Sequence, residues 1–362
     1  MEPSTVSGTI ARVRVSGPLW LGGLISLALF LFGVQLLGTA TEAAAVPLGR
    51  FFDRYVAGDV RALGVSWVAT YALTNGSVVA ALAVSLFDAG VVTATQLYLM
   101  VAGSRLGAAA IVVFVGALDY LQKRRYSVGK AISLGLLTFL LTHSVYLPAT
   151  LVGYLLLPWF RTAFADVGGH LELTFQPLSV LEPATTAIVD AVGAAPGFGV
   201  AVLVLFGSLN LFDRVLKRVD TEWLRQRVFR RFRRRWVSLG LGVLVTGITT
   251  SVAFSLGVIV PLYNRGYLER REVVPYVLGA NIGTLFDTVV VAVVLESPEA
   301  VAFVLALLVV GTAVTLVELL WFSVYFDAIA GFHARLVDDR RALAAFLVSL
   351  VLVPVSLALF PF

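Results

Sequence analysis

The stretch 277–286, "VLGANIGTLF", sets two glycines (Gly279, Gly283), an amide (Asn281) and a hydroxyl (Thr284) inside an apolar run, and Asp287 follows it. In so oily a setting these groups suit one kind of chemistry, the holding of ions. A helix interrupted there exposes amide donors on one half and carbonyls on the other, which serve as anion and cation sites. A carboxylate at that depth is costly and is a functional candidate for that reason. Two further groups of small polar residues lie elsewhere in apolar surroundings: Thr74, Asn75, Gly76 and Ser77, and Thr250 with Ser251. Arg105 is the one basic residue placed within an apolar segment. The chain has no Cys, which excludes disulfides and thiolate metal sites. No zincin, P-loop, triad or dinucleotide-binding pattern is present. The residues therefore read as belonging to a protein that is not an enzyme and holds no cofactor.

The elements that must position these groups follow from composition. Hydrophobic residues make up 59% and charged residues 14%, against about 45–50% and about 25% in soluble domains. Mean hydropathy is +0.93. Apolar runs long enough to cross a bilayer recur along the chain, so the expectation is an all-α polytopic membrane protein whose first partner is the lipid bilayer. The first run lacks a cleavage site and reads as a retained helix. Of the 27 Lys and Arg residues, 22 fall in five groups: Arg12 and Arg14, the stretch 123–130, the stretch 214–235 with ten, Arg265 with Arg270 and Arg271, and Arg335 with Arg340 and Arg341. Such asymmetry puts those groups in the cytoplasm and predicts a multi-pass protein of the plasma (cell) membrane, its N-terminus cytoplasmic and its C-terminus extracytoplasmic. The sequence pI of about 9.6 would suit nucleic acid, but a basic loop against anionic headgroups accounts for 214–235, and no nucleic-acid partner is expected.

The chain also repeats itself: 74–107 can be laid over 250–283 without a gap. In that register Thr74 meets Thr250, Gly103 meets Gly279 and Gly107 meets Gly283; upstream, Thr70 meets Thr246. The charge pattern gives the two copies opposite orientation. The first inverted repeat is expected over 1–157, with helix 18–46, hairpin 62–87, interrupted helix 94–119 and helix 130–157. An extracytoplasmic connector, 158–194, leads to the second repeat, 195–361. That repeat comprises helix 195–212, a basic cytoplasmic linker 213–236, hairpin 237–262, interrupted helix 272–296, and helices 300–327 and 342–361. The two hairpins return to the side they came from and read as re-entrant, which non-helical backbone tolerates only where it is buried or lines a wet cavity. Two inverted-topology repeats, each with a re-entrant hairpin and an interrupted helix, are the pattern of a secondary transporter. The stretch 179–192, "PATTAIVD" within it, has no assigned place.

With "LGANIGT" (278–284) following a hydroxyl-bearing hairpin, and "LFLFGVQLLG" (29–38) upstream, the chain resembles the type II sodium/phosphate cotransporter family. That family has two inverted halves, each with a Gln-Ser-Ser-Ser stretch in a hairpin and a Gly-Ala-Asn-Ile-Gly-Thr stretch in an interrupted helix. The resemblance implies sodium-coupled symport of inorganic phosphate or a related anion by alternating access. It assigns binding to Thr74, Asn75, Gly76, Ser77, Thr250, Ser251, Gly279, Asn281, Gly283 and Thr284, to which Arg105 and Asp287 are added as charged groups within apolar segments, with sodium, as a coupling ion, at Ser77, Ser251, Asn281 and Thr284. The chain departs from the family pattern at Thr74 and Thr250, which replace the glutamines, at Val252 and Ala253, which replace serines, and at Arg105, which stands where the other copy has Asn281. Arg105 then supplies a fixed positive charge where the family would bind a cation, its partner being the transported anion or Asp287. The lost oxygens keep open a sodium-independent uniporter or exchanger, and a non-transporting membrane scaffold that docks partners through 214–235. The sequence is silent on oligomeric state.

Overall fold

In hydrocarbon every backbone amide and carbonyl must find its partner within the protein, and runs of Leu, Val, Ala and Phe meet that demand as helices. A computed structural model describes residues 17–123, 128–164, 180–218, 234–252, 255, 256, 259 and 268–360, and all of its regular structure is helical. In chain order the helices are α1 (Gly17–Ala43), α2 (Ala45–Tyr55), α3 (Asp59–Leu73), α4 (Gly76–Asp88), α5 (Ala94–Lys123), α6 (Val128–Ala163), α7 (Glu182–Val192), α8 (Ala194–Lys217), α9 (Arg235–Thr249), α10 (Arg270–Gly283), α11 (Phe286–Val294), α12 (Pro298–Leu320), α13 (Phe322–Asp338) and α14 (Arg340–Ala358). Seven spans are long and apolar enough to cross a membrane: Leu19–Ala43, Ala94–Phe114, Ser133–Ala163, Ala194–Lys217, Arg270–Val294, Pro298–Leu320 and Arg340–Ala358. Each overlaps one of the seven crossings expected from the sequence.

The two segments expected as hairpins contain shorter helices. Residues 62–87 fall in α3 and α4, of 15 and 13 residues, both below the roughly 20 needed to span. They are joined through Thr74 and Asn75. In 237–262, α9 ends at Thr249, and beyond Thr250 and Ser251 the described residues Val252, Ser255, Leu256 and Ile259 are helical. The rest of that second arm, Ala253 included, lies outside the described residues, as does 219–233 of the basic linker.

The matched glycines allow two helix pairs to approach closely. A Cβ on Gly103 would press on Leu63 O and Trp67 N, and one on Gly279 on Leu239 O and Val243 N. Likewise Gly107 faces Trp67 O and Thr70 Cβ, while Gly283 faces Val243 O and Thr246 Cβ. Every one of these partners is paired by the register that lays 74 over 250. Thus α3 packs on α5 as α9 packs on α10.

Four expectations need correction. The helix over 94–119 is not interrupted: α5 runs unbroken through Gly103 and Gly107. A glycine costs a helix only about 1 kcal/mol, and here both glycines are used for contact with α3. In the second copy the interruption is present, with Thr284 and Leu285 between α10 and α11. The helix expected over 300–327 is two, divided at Trp321 (φ −98°, ψ 36°). The first helix ends at Ala43, and α2 follows after Ala44 with aromatic and basic residues exposed. Finally, the connector 158–194 is partly helical. The last turn of α6 reaches Ala163, and α7, too short to cross at 11 residues, docks on α1 through a 2.9 Å bond between Thr185 Oγ1 and Thr39 Oγ1.

Candidate functional site

The tips of the two short-helix segments share an unusual backbone. Thr74 (φ 52°) and Thr250 (φ 49°) both adopt the left-handed conformation, which a β-branched side chain rarely tolerates. Strain of that kind costs on the order of 1–3 kcal/mol and gathers at functional sites. After Thr74 the chain turns into α4, whose N-cap is Asn75. The Asn75 side chain accepts from Ser77 N (2.9 Å) and Val78 N (3.1 Å), satisfying two of the orphan amides of a helix start. Gly76 lets this tip approach α5, since a Cβ there would lie 2.8 Å from Ser104 O.

Beside that tip is a buried charge network. Among the described residues Arg105 is the only buried arginine or lysine and Asp287 the only buried carboxylate, at 3% and 2% exposure. Arg105 Nη2 donates to Asp287 Oδ1 at 3.1 Å and also to Thr288 Oγ1, while Nη1 donates to Thr284 Oγ1 at 3.0 Å. Ser77 Oγ donates to Asp287 Oδ2, and Thr288 Oγ1 to Asp287 Oδ1 at 2.8 Å. One guanidinium thus ties α5 to the interruption between α10 and α11, and Asp287 ties that interruption to the first tip. Asn281, one turn earlier, accepts from Thr142 Oγ1 of α6 at 3.0 Å, and its carbonyl accepts from Tyr146 OH at 2.7 Å. Two buried donors of this network, Arg105 Nε and Asn281 Nδ2, have no partner among the described residues.

A cavity of about 650 Å³ brings most of the candidate residues together: Thr74, Asn75, Gly76, Ser77, Arg105, Thr250, Ser251, Asn281 and Thr284 all line it. Asp287 does not; it stands behind Arg105. Nor do Gly279 and Gly283, which are packed against α9. Sequence reasoning passed over Thr138, Thr142 and Tyr146 of α6 and Phe212 and Asp213 of α8, which also line the cavity, and Thr288, which binds Arg105. The α6 residues had a signal, a polar stripe repeating every fourth position and so marking one helix face. His143, their neighbour, instead stacks on Phe139 at 3.6 Å and bonds that residue's carbonyl.

The oxygens considered for sodium are already engaged. Ser77 Oγ is bonded to Asp287, Asn281 Oδ1 accepts from Thr142, and Thr284 Oγ1 accepts from the Arg105 cation. Ser251 is buried and also engaged. No group of three or more His, Asp or Glu suited to a metal occurs among the described residues. What the arrangement offers is a guanidinium paired with Asp287, two enclosed donors without partners, and hydroxyls around a space large enough for a small oxyanion.

The Na+/Pi-cotransporter family profile matches residues 29–175 and 203–357, most of the chain. The chain belongs to that family. Its two matched stretches begin at 29 and 203, an offset close to the one that lays 74 over 250. No curated protein and no solved structure matches the chain. Membership makes this a multi-pass membrane protein of a transporter family rather than of an enzyme family.

Proposed function

We propose that the chain is a secondary active transporter of inorganic phosphate or a similar anion, which binds in the 650 Å³ cavity and crosses by alternating access. The observation that carries this reading is Arg105, a buried guanidinium on the cavity wall with Nε unpartnered and Asn281 Nδ2 unpartnered nearby. Both donors are enclosed, and leaving a buried donor unsatisfied costs about 1–3 kcal/mol, so a side-chain turn of Arg105 toward the cavity gains an oxyanion as the missing acceptor. Arginine suits that role because its planar fork engages two oxyanion oxygens at once. The anion and Asp287 then compete for one cation. Without anion Asp287 neutralises Arg105, so the protein carries no uncompensated buried charge as it changes state; with anion bound, the displaced Asp287 carboxylate takes up a proton or a coupling cation.

Two inverted repeats, with the segments at 62–87 and 237–262 as re-entrant hairpins, give the motion its symmetry. The common register of the glycine contacts and of the strained threonines supports the repeat. The basic clusters support its orientation, with a cytoplasmic N-terminus and an extracytoplasmic C-terminus in the plasma membrane. On that orientation the cavity, which reaches Phe212 and Asp213 near the linker end of α8, faces the cytoplasm.

Family membership supports sodium as the coupling ion. A second reading, sodium-independent anion transport, is favoured by one contact: the Arg105 cation lies 3.0 Å from Thr284 Oγ1, an oxygen that sodium would need. Phosphate uptake into proteoliposomes with and without a sodium gradient separates them. Sodium-dependent uptake supports the first, equal uptake in both supports the second, and no flux of any small anion overturns transport in favour of a scaffold.

A further inference from the structure

A second cavity, of about 810 Å³, lies where α9 and α10 both begin, walled by Arg234, Arg235 and Trp236 on one side and by Arg271, Glu272 and Phe322 on the other. We propose that it is a binding site for the phosphate-bearing headgroup of an anionic membrane lipid.

Position is the first argument. Arg235 opens the apolar helix α9 and Arg270 opens the spanning stretch Arg270–Val294, so the cavity sits at the level where chain passes from water into hydrocarbon. Trp236, 45% exposed, is the kind of side chain that anchors at this level. The charge pattern makes this the cytoplasmic face, where anionic lipids gather.

Chemistry is the second. Arg271 is held ready: Nη2 donates to Ser323 Oγ at 2.9 Å, and its guanidinium lies 5.5 Å from the Phe326 ring and 5.7 Å from that of Phe322. Arg235 lies 5.7 Å from the ring of Trp236. None of the three arginines forms an ion pair among the described residues. The two acids in the wall are committed elsewhere, because Glu269 and Glu272 form a capping box on the α10 N-terminus, with Glu269 N donating to Glu272 Oε2 at 3.0 Å. The capping role holds these carboxylates at the helix start, and the three arginines outnumber the two acids and present forked donors to a phosphodiester. The floor is apolar: Phe322 and Pro275 are buried there. Free phosphate has no use for such a floor, whereas the glycerol and first methylenes of a lipid do.

The location gives the site a consequence. Its walls belong to α9, which carries Thr250 at its far end, to α10, which carries Asn281, and to α13. A headgroup bridging Arg234 or Arg235 to Arg271 clamps α9 to α10 and so restrains the parts of the central cavity that those helices hold. Binding itself does not depend on the transport reading and is measured without it.

The test is native mass spectrometry of the purified full chain, equilibrated with an equal mixture of phosphatidylglycerol and phosphatidylcholine. Preferential retention of phosphatidylglycerol is expected. Each basic side chain at an anionic lipid surface contributes about 1 kcal/mol, about fivefold in affinity, so R234Q, R235Q and R271Q should each weaken retention about that much. R335Q, R340Q and R341Q, an equal loss of charge from exposed positions elsewhere on the same face, should leave it unchanged. Reading single variants as well as the triple keeps the test valid if the triple folds poorly. The proposal fails if phosphatidylglycerol is retained no better than phosphatidylcholine, or if the R234Q, R235Q and R271Q variants match the control set. It also fails if excess glycerol phosphate displaces the lipid, which would make this a site for free phosphate.

Discussion

The unit α3–α4–α5 and the unit running from α9 to α11 pack their glycines against equivalent neighbours, yet they use the arrangement differently. In the first, the helix passes unbroken through Gly103 and Gly107; in the second, it stops just after Gly283 and restarts at Phe286. Glycine spacing is therefore a packing device in both and does not by itself break a helix. The break coincides with a side chain from the other unit, because the Arg105 guanidinium inserts among Thr284, Asp287 and Thr288. One unit supplies the cation and an intact helix to carry it; the other supplies the oxygens and the opened backbone to receive it.

The largest effect expected from breaking this complementarity is at Asp287. D287A strands the buried Arg105 charge, at a cost of about 3–5 kcal/mol, read as a large loss of thermal stability in detergent. The double variant R105Q/D287N should recover much of that loss. If it is no more stable than D287A, the two units are not joined by this pair.

The tips come next. S77A and S251A should each weaken anion binding by about 1.5–3 kcal/mol, the worth of a hydrogen bond to a charged group, so by an order of magnitude or more in a binding titration, with folded yield unchanged. Unchanged affinity in both would make these residues packing elements. R105K, which keeps the charge but loses the fork, should fall between wild type and R105N in sodium-free anion binding. Equal binding by R105N and wild type would move the site elsewhere.

The glycines offer a smaller and sharper contrast. G103A and G279A press a methyl on a neighbouring backbone and should each lower stability by about 1–3 kcal/mol. G240A, with nothing within 4 Å of its Cβ, should be neutral or slightly stabilising. Equal effects at the three positions would end the close-packing account. The smallest effect belongs to the feature the units share. T74G and T250G relieve left-handed strain of about 1–2 kcal/mol but lose part of it to glycine's greater chain entropy. The expected gain is below about 1 kcal/mol in chemical denaturation, accompanied by slower anion uptake. A loss of stability at both tips would mean the threonine side chains hold the turns.

Much of the molecule was legible from residue order because the relevant physics is local. Hydropathy over a helix length marked the seven spans. Laying 74–107 over 250–283 exposed equivalent glycines and tip threonines before any contact was known. What only the tertiary structure decided depends on which helices dock. The sequence left Arg105 two partners, the anion or Asp287; the meeting of α5 with the start of α11 gives it Asp287 and adds Thr284 and Thr288. The stripe Thr138, Thr142 and Tyr146 acquired meaning only when α6 was seen to face Asn281. An unbroken α5 and a broken α10–α11 could not be told apart from their matching glycines. The side chain that meets the break comes from the other half of the chain, and no local propensity encodes that meeting.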